Sequence, residues 1–572
     1  MTTPTTCGIC QGVLELRFAG STTPAQAGDF APTCHRPRAY GDLYRCRECA
    51  TVQQPSLPDG VELVDLYREM SDSDYLAEER GRRLTSNWLL DLVERRRAPG
   101  RLLEIGCGHG LLLDEARRRG WEVRGLELSE RSAKHGRDRY ELDIREEPFE
   151  ALGNEEDGCW DAVLMIDVLE HLDDPRAAIE RIRKLLAPGG VLCVVTPDPG
   201  SLTAKLAGSR WWGLLPAHSY LIPRKTLREL IIGQGLILSD DVSLVRSFSA
   251  RYWVDGFAGL AGPAAAAVRR AAAKLPPQRS LAISLGDERV MLAVNEQVRE
   301  PSSRLAADRD GPDNVQVVLP AYHAAATIPR VAADLPLSSF DRALLVDDAS
   351  GDDTTAVALS EGFEVLRHPA NRGYGANQKT CYTRAMLDGA DVVVMVHADH
   401  QYDAALVTEM VRPIIEGRAD VVMGSRLLED RAIAGGMPRW KWIGNRALTW
   451  TENRAFTKDF SEYHTGYRAF STDFLRSIPF LRNSDGFVFD QEIFAQIVDR
   501  NARVVELPIP TRYFLEASSV SFPASVRYGL ETLTVLARYR VDERRRRWTL
   551  LRRPAVQLEP AASAAPDTRP VP

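Results

Sequence analysis

Residues 102–120, LLEIGCGHGLLLDEARRRG, pass from an apolar run of strand length, through glycines at alternate positions, into a helical pattern with one apolar face. Gly106, Gly108 and Gly110 let the backbone approach a ligand closely and turn straight into a helix N-terminus, where main-chain N–H groups lack partners. A GxGxG turn is shared with dinucleotide-binding folds, so its surroundings decide its meaning. Glu104 precedes the glycines, and the following strand, VRGLELS (123–129), brings Glu127 to its end, where a carboxylate can accept hydrogen bonds from ribose hydroxyls. Outward from this unit, short apolar runs alternate with helical patterns over 57–298 and again from 315 (VQVVLPAY, RALLVDDAS, DVVVMVHAD). Two separate α/β domains with parallel sheets are expected.

The chain has 572 residues, too many for one hydrophobic core. Its composition is 44% hydrophobic and 26% charged with a net charge of −7, which is ordinary for a globular protein and excludes a general nucleic-acid binder. No apolar run reaches the roughly 18 residues of a membrane span, and no charged stretch followed by an apolar one marks a secretory leader. A cytoplasmic location is expected. Of nine cysteines, four form two CxxC pairs, Cys7/Cys10 and Cys46/Cys49. Without an export signal these point to a structural Zn²⁺ held by four thiolates rather than to disulfides, with redox use the lesser reading. Cys34-His35 between the pairs offers a substitute ligand or a loop. Residues 1–56 therefore form an expected zinc ribbon, 57–298 the first α/β domain, 299–314 a polar linker, 315–553 the second α/β domain and 554–572 a disordered Pro/Ala-rich tail.

LLEIGCGHG, GLELS, DAVLMIDVLEHLDDP (161–175) and LLAPGGVLCVVTPDPGS (185–201) resemble, in order and spacing, the successive motifs of class I S-adenosylmethionine-dependent methyltransferases, which have a Rossmann-like fold. The resemblance implies a cofactor cradled by Gly106, Gly108 and Gly110, with Glu104 near its amino-acid moiety and Glu127 on the ribose. Asp143 or the segment 147–150 would flank the adenine, and Asp167 would lie beside the methionine part. Methyl transfer needs an aligned nucleophile, and a base where that nucleophile is a hydroxyl. His171 is the candidate base, against the alternative of a cap on the following turn. Trp211, Trp212, His218 and Tyr220 line either the acceptor pocket or a packed surface loop.

The second domain resembles family 2 glycosyltransferases of the GT-A fold, in the branch that includes dolichol-phosphate mannose synthase. The motifs are VQVVLPAYHAAATI (315–328), ALLVDDASGDDT (343–354), NRGYGANQKT (371–380), VMVHADHQYD (394–403), ADVVMGSR (419–426), YHTGYRAF (463–470) and SDGFVFDQEI (484–493). The resemblance implies a nucleotide-sugar donor contacted by Pro320, Ala321, Tyr322 and Asp347, with Arg426 and Arg468 on phosphate oxygens and Arg512 on an acceptor phosphate. Asp399 and Gln401 would hold Mg²⁺ or Mn²⁺ on the diphosphate. His397 stands where the family's first aspartate is expected and offers a nitrogen ligand that moves preference towards Mn²⁺ or weakens the site. Asp490 and Glu492 sit where a base for a glycan hydroxyl is placed; a polyprenyl phosphate acceptor needs none. The stretch FPASVRYGLETLTVLARYRVDERRRRW (522–548) reads either as an amphipathic helix with a basic end resting on the inner membrane face or as a helix packed on its own domain. The whole chain reads as a fusion of two transferases acting in surface glycan or glycolipid assembly. The competing reading is an active methyltransferase with a degenerate, scaffolding glycosyltransferase half.

Overall fold

The computed structural model describes residues 6–20, 40–55, 76–258, 280–305, 311–428, 437, 439–510, 522–542 and 548–560. It divides into two compact units, Met1–Asn295 and Glu296–Pro572. Cys34-His35, Arg512 and the basic run Arg544–Arg547 lie outside the described residues.

In the first unit the ribbon strands are β1 (Leu14–Phe18), β2 (Leu43–Cys46) and β3 (Val52–Gln53). They are followed by α1 (Glu79–Glu94), β4 (Arg101–Ile105), α2 (Leu111–Arg118), β5 (Glu122–Leu126), α3 (Glu130–Tyr140), β6 (Ile144–Arg145) and β7 (Trp160–Ile166). The unit continues with α4 (Pro175–Leu185), β8 (Leu186–Pro197), β9 (Tyr220–Leu221), α5 (Arg224–Gly233), β10 (Ile237–Ser243), β11 (Arg246–Ser249), β12 (Ser280–Ile283) and β13 (Glu288–Val294). Its main sheet has the order β10-β13-β8-β7-β4-β5-β6. The neighbours from β8 to β6 run parallel, and β13 is antiparallel to both of its neighbours. Near-continuous apolar runs such as Ala162–Met165 and Val191–Val195 are buried, as strands covered on both faces by helices require. The order reverses between β4 and β7, so the carboxyl ends of these two strands open a crevice at the topological switch point.

The ribbon is not an independent body. β3 pairs with β9, so one sheet runs β1-β2-β3-β9. Thr226 Oγ1 donates to Cys49 O (2.6 Å), Gln54 Nε2 to Pro216 O (2.9 Å) and Arg176 to Ile9 O, which tie the cysteine turns to α5, α4 and the loop before β9. The expected division at residue 56 thus runs through a continuous packed unit, because so small a ribbon shares the core of its neighbour.

The second unit contains β14 (Val315–Ala321), β15 (Arg342–Asp347), β16 (Glu364–Arg367), α6 (Tyr374–Leu387), β17 (Val392–Met395), β18 (Val421–Ser425), α7 (Arg439–Phe456), β19 (Arg468–Ser471), α8 (Phe489–Asp499), β20 (Val504–Pro508) and α9 (Phe522–Asp542). The sheet order is β16-β15-β14-β17-β19-β18-β20, with β19 antiparallel to both of its neighbours. Here the switch point lies between β14 and β17, at the ends of VVLPA and VVVM. The expected linker is partly docked: Arg299 exchanges two main-chain hydrogen bonds with Val365, and Leu305 N donates to Gly362 O (3.0 Å). The expected disordered tail is also partly packed, since Ala555, Val556 and Leu558 are buried. Among the described residues no helix is long and apolar enough to cross a membrane.

Candidate functional site

At the crevice of the first unit the glycine loop has the conformation its sequence demands. Gly106 and Gly110 have φ of 69° and 77°, and a Cβ on Gly106 would lie 2.5 Å from Val168 Cγ2. Gly108 N donates to Glu127 Oε2 (2.7 Å) and Ser129 N to Glu127 Oε1 (2.8 Å), which fixes the carboxylate beneath the loop. Glu104 is buried with Oε2 lacking a partner, and burial, with Glu127 nearby, pushes its carboxyl well above the usual range. Asp167 follows β7 with φ 55°; its Oδ2 accepts from Arg246 Nη2 (2.6 Å), while Oδ1 is buried without a partner. Arg246 also pairs with Glu288, whose carboxyl is pushed up to about 7 by burial. Asp143 is half-exposed and its carboxylate is ion-paired with Arg124 (2.8 Å).

Beside Asp167, a turn of 3-10 helix (Leu169–His171) carries Glu170 and His171 towards the loop before β9. His171 Nδ1 lies 2.9 Å from Ala217 O and His218 Nδ1 2.7 Å from Gly213 O, with the two rings edge to face at 4.8 Å. Burial lowers the His171 imidazole and holds His218 down at about 3, so both are neutral near pH 7. Trp211 and Trp212 both donate their indole N–H to Asp287 Oδ2 (2.9 and 2.7 Å). Trp211 is buried and Trp212 partly exposed, while Tyr220 is half-buried on β9 under Gly8. The loop is therefore packed by the ribbon on one side and bears the His171/His218 pair on the other.

The four ribbon cysteines suit a tetrahedral ion. All four Sγ atoms lie within 4.8 Å of one another, with Cys7–Cys49 at 3.7 Å and Cys10–Cys46 at 3.4 Å. A Zn²⁺ with bonds of about 2.3 Å needs edges of about 3.8 Å. Gln53 Nε2 donates to Cys7 Sγ (2.7 Å) and Glu48 N to Cys46 Sγ (3.3 Å), the outer donors a thiolate site uses. The Cys46 thiol is pulled far down by hydrogen bonds from the other three, Cys10's first, while Cys7, Cys10 and Cys49 are pushed up; a cation removes that conflict.

In the second unit Pro320 and Ala321 end β14 and Tyr322 is exposed beyond them, at the switch point. Asp399 and Gln401 follow β17, where Gln401 N donates to Asp399 Oδ1 (3.1 Å). The other side chains singled out in the sequence are held by protein partners. His397 Nε2 lies 3.1 Å from Tyr374 OH, and a Cβ on Gly466 would come within 2.2 Å of it. Burial lowers this imidazole, so it sits neutral between Tyr374 and Tyr402. The Arg468 side chain is wholly buried, pairs with Asp490 (2.9 Å) and lies over Phe494, because burying Asp490 requires a cation. The guanidinium of Arg426 is held by buried Glu462 and by His464 O. Asp347 is buried as an acceptor for Ser350 N (2.9 Å) and Thr355 Oγ1 (2.6 Å), which shapes the loop after β15. Glu492 accepts from Ser484 N, while Asp490 takes hydrogen bonds from Arg468, Gln378 (3.0 Å) and Tyr374 (3.3 Å).

Sequence reasoning missed Arg246, Glu170, Asp287, Asp348, Tyr374 and Gln378. Asp348 holds the 372–373 turn through Arg372 N and Gly373 N (both 2.8 Å) and His368 Nδ1 (2.7 Å); the DD pair was the available signal, and only its first member was chosen.

Residues 76–238 match the model of a methyltransferase domain and residues 316–478 that of glycosyl transferase family 2. Glycosyltransferase AglJ of Haloferax volcanii is 31% identical over 207 residues, which span 36% of this chain and 64% of that protein. The ubiquinone biosynthesis O-methyltransferase of Psychrobacter arcticus is 31% identical over 169 residues, 27% of this chain and 66% of that one. Each matched stretch thus spans slightly less than two thirds of the relative. Glucosyl-3-phosphoglycerate synthase from Mycobacterium tuberculosis aligns over 42% of this chain and 85% of its own, with 19% identity and a TM-score of 0.34.

Proposed function

Because the chain carries a methyltransferase domain followed by a family 2 glycosyltransferase domain, we propose that it is a bifunctional transferase of glycan or glycolipid assembly. One half moves a methyl group from S-adenosylmethionine to a hydroxyl, and the other moves a sugar from a nucleotide-sugar to a polyprenyl phosphate. Glu104 Oε2, Asp167 Oδ1 and Glu170 Oε1, buried without a protein partner, support the first half most directly: an acidic crevice awaits a cation. S-adenosylmethionine, when bound, supplies an electrophilic methyl group on a positively charged sulfur. Glu104 would take the ammonium, Glu127 the ribose hydroxyls, and Asp167 would face the sulfonium side with its position set by Arg246. The Glu170/His171/His218 cluster would face the acceptor hydroxyl; as its oxygen took the methyl carbon, the C–S electron pair would stay on sulfur and the hydroxyl proton would pass to water. O-methyl transfer is the activity in the name of the Psychrobacter relative.

In the second half Asp399 and Gln401 present the oxygen donors that suit Mg²⁺ or Mn²⁺, which would offset charge on the departing nucleotide diphosphate. Asp490 already receives hydrogen bonds from three side chains, which disfavours it as a base and favours an acceptor that is ionised beforehand. Val526, Leu530, Leu533 and Val541 are exposed along α9 beside Arg527, Arg538 and Arg540, a face suited to the bilayer that carries a lipid-linked acceptor. The four cysteines would hold Zn²⁺ as a staple for the acceptor loop. Calorimetry with S-adenosylmethionine and a turnover screen of nucleotide-sugars with Mn²⁺ and polyprenyl phosphate test the two halves. The reading expects cofactor binding that Glu127→Ala abolishes and sugar transfer that Asp399→Ala abolishes. Absence of cofactor binding sinks the first half; absence of turnover across the screen replaces the second with a scaffolding role.

A further inference from the structure

Glu170, His171 and His218 each bring a ligand atom within 4.8 Å of the other two, in the wall of the methyltransferase crevice. The outer contacts of the three side chains match those of a metal centre. Each histidine has Nδ1 within hydrogen-bond distance of a main-chain carbonyl, Ala217 O for His171 and Gly213 O for His218, which orients the ring. Thr196 Oγ1 donates to Glu170 Oε2 (3.0 Å), orienting the carboxylate, while Oε1 is buried with no protein partner.

We infer that Glu170, His171 and His218 form a binding site for a first-row divalent cation with affinity for imidazole, of the Zn²⁺ or Fe²⁺ class, distinct from the four-cysteine site. This rests on reading the first unit as a methyltransferase and deepens it. Two imidazoles and one carboxylate occupy one side of an ion and leave positions open, and the crevice beside Asp167 is where a methyl acceptor would enter. An acceptor hydroxyl bound there loses its proton to water more readily, and its oxygen attacks the methyl carbon while the C–S electron pair remains on sulfur. Edges around an ion with bonds of about 2.1 Å are about 3.4 Å, so the three side chains close inward on binding.

The test uses full-length protein carrying Asp399→Ala, to silence the expected metal position of the second unit, stripped with chelator and titrated with Co²⁺. Thiolate ligation gives an intense near-ultraviolet charge-transfer band, whereas carboxylate and imidazole ligation gives only weak visible absorption. Two equivalents are expected, one with the charge-transfer band and one without, and Glu170→Gln and His218→Gln each abolish only the second. A second equivalent that never appears, or that survives both substitutions, overturns the inference. Cofactor calorimetry on the same samples separates the layers: binding without a second metal sinks this site alone, while no binding in the wild type sinks the methyltransferase reading. If His218→Gln loses both cofactor binding and the thiolate band it has not folded, and the near-isosteric Glu170→Gln decides.

Discussion

Replacing Glu104 by glutamine keeps the side-chain volume and removes the charge from a position that is 5% exposed. Two opposite effects follow. Burial beside Glu127 holds the Glu104 carboxyl well above its ordinary value of 4.5, whereas the unfolded chain ionises near that value. The folded state therefore loses stability as pH rises from about 4.5 towards the folded value. An amide with one unmet N–H is less costly to bury than an unpaired carboxylate, so Glu104→Gln should melt higher than wild type at pH 8, with the gap narrowing towards pH 4.5. Cofactor binding moves the other way. A hydrogen bond between a carboxylate and an ammonium is worth about 1.5–3 kcal/mol, and at about 1.4 kcal/mol per tenfold the affinity for S-adenosylmethionine falls by roughly 10- to 150-fold. Thermal melts across pH and titration calorimetry at pH 8 measure both. Unchanged affinity, or a lower melting temperature at pH 8, would refute the assignment of Glu104 as the cation's seat.

Arg468→Met should destabilise the second unit by about 3 kcal/mol in chemical denaturation, since it removes the buried cation paired with the part-buried Asp490; Arg468→Met with Asp490→Leu should recover most of the loss, and a silent single variant would show that the pair is not formed. His218, held down at about 3 against an ordinary 6.5, is protonated first in the unfolded chain. Stability of the first unit should therefore fall by about 1.4 kcal/mol for each pH unit between roughly 6.5 and 3, and His218→Gln should flatten that limb of a pH–stability curve.

The parts of the fold and site legible in the sequence are those written within one strand–turn–helix unit. Gly106, Gly108, Gly110 and Glu104 lie within seven residues, and Glu127 closes the adjacent parallel strand, so periodicity and glycine spacing place them together. What the local sequence does not show depends on partners far along the chain. Arg426 meets Glu462 at a separation of 36 residues, Arg468 meets Asp490 at 22, and Arg246 reaches Asp167 at 79. No local pattern distinguishes an arginine aimed at phosphate from one compensating a buried carboxylate. His397 is a different case: the motif gives its place at the strand end, while the side chain's direction is set by Tyr374 on α6 and by the space left at Gly466.

The two crevices sit at equivalent switch points but divide their charge differently. In the first unit Glu104 Oε2, Asp167 Oδ1 and Glu170 Oε1 are buried without protein partners, an arrangement costly to the free protein that a cationic cofactor or a metal ion relieves. In the second unit Arg426, Arg468, Asp347 and Asp490 are already matched within the protein. On the proposed reading, phosphate binding there would fall to main-chain N–H groups and a divalent cation at Asp399 and Gln401. Cofactor binding should accordingly change the pH–stability profile of the first unit strongly, because it discharges buried acids. Donor binding to the second should leave the buried pairs as they are and depend steeply on the divalent ion.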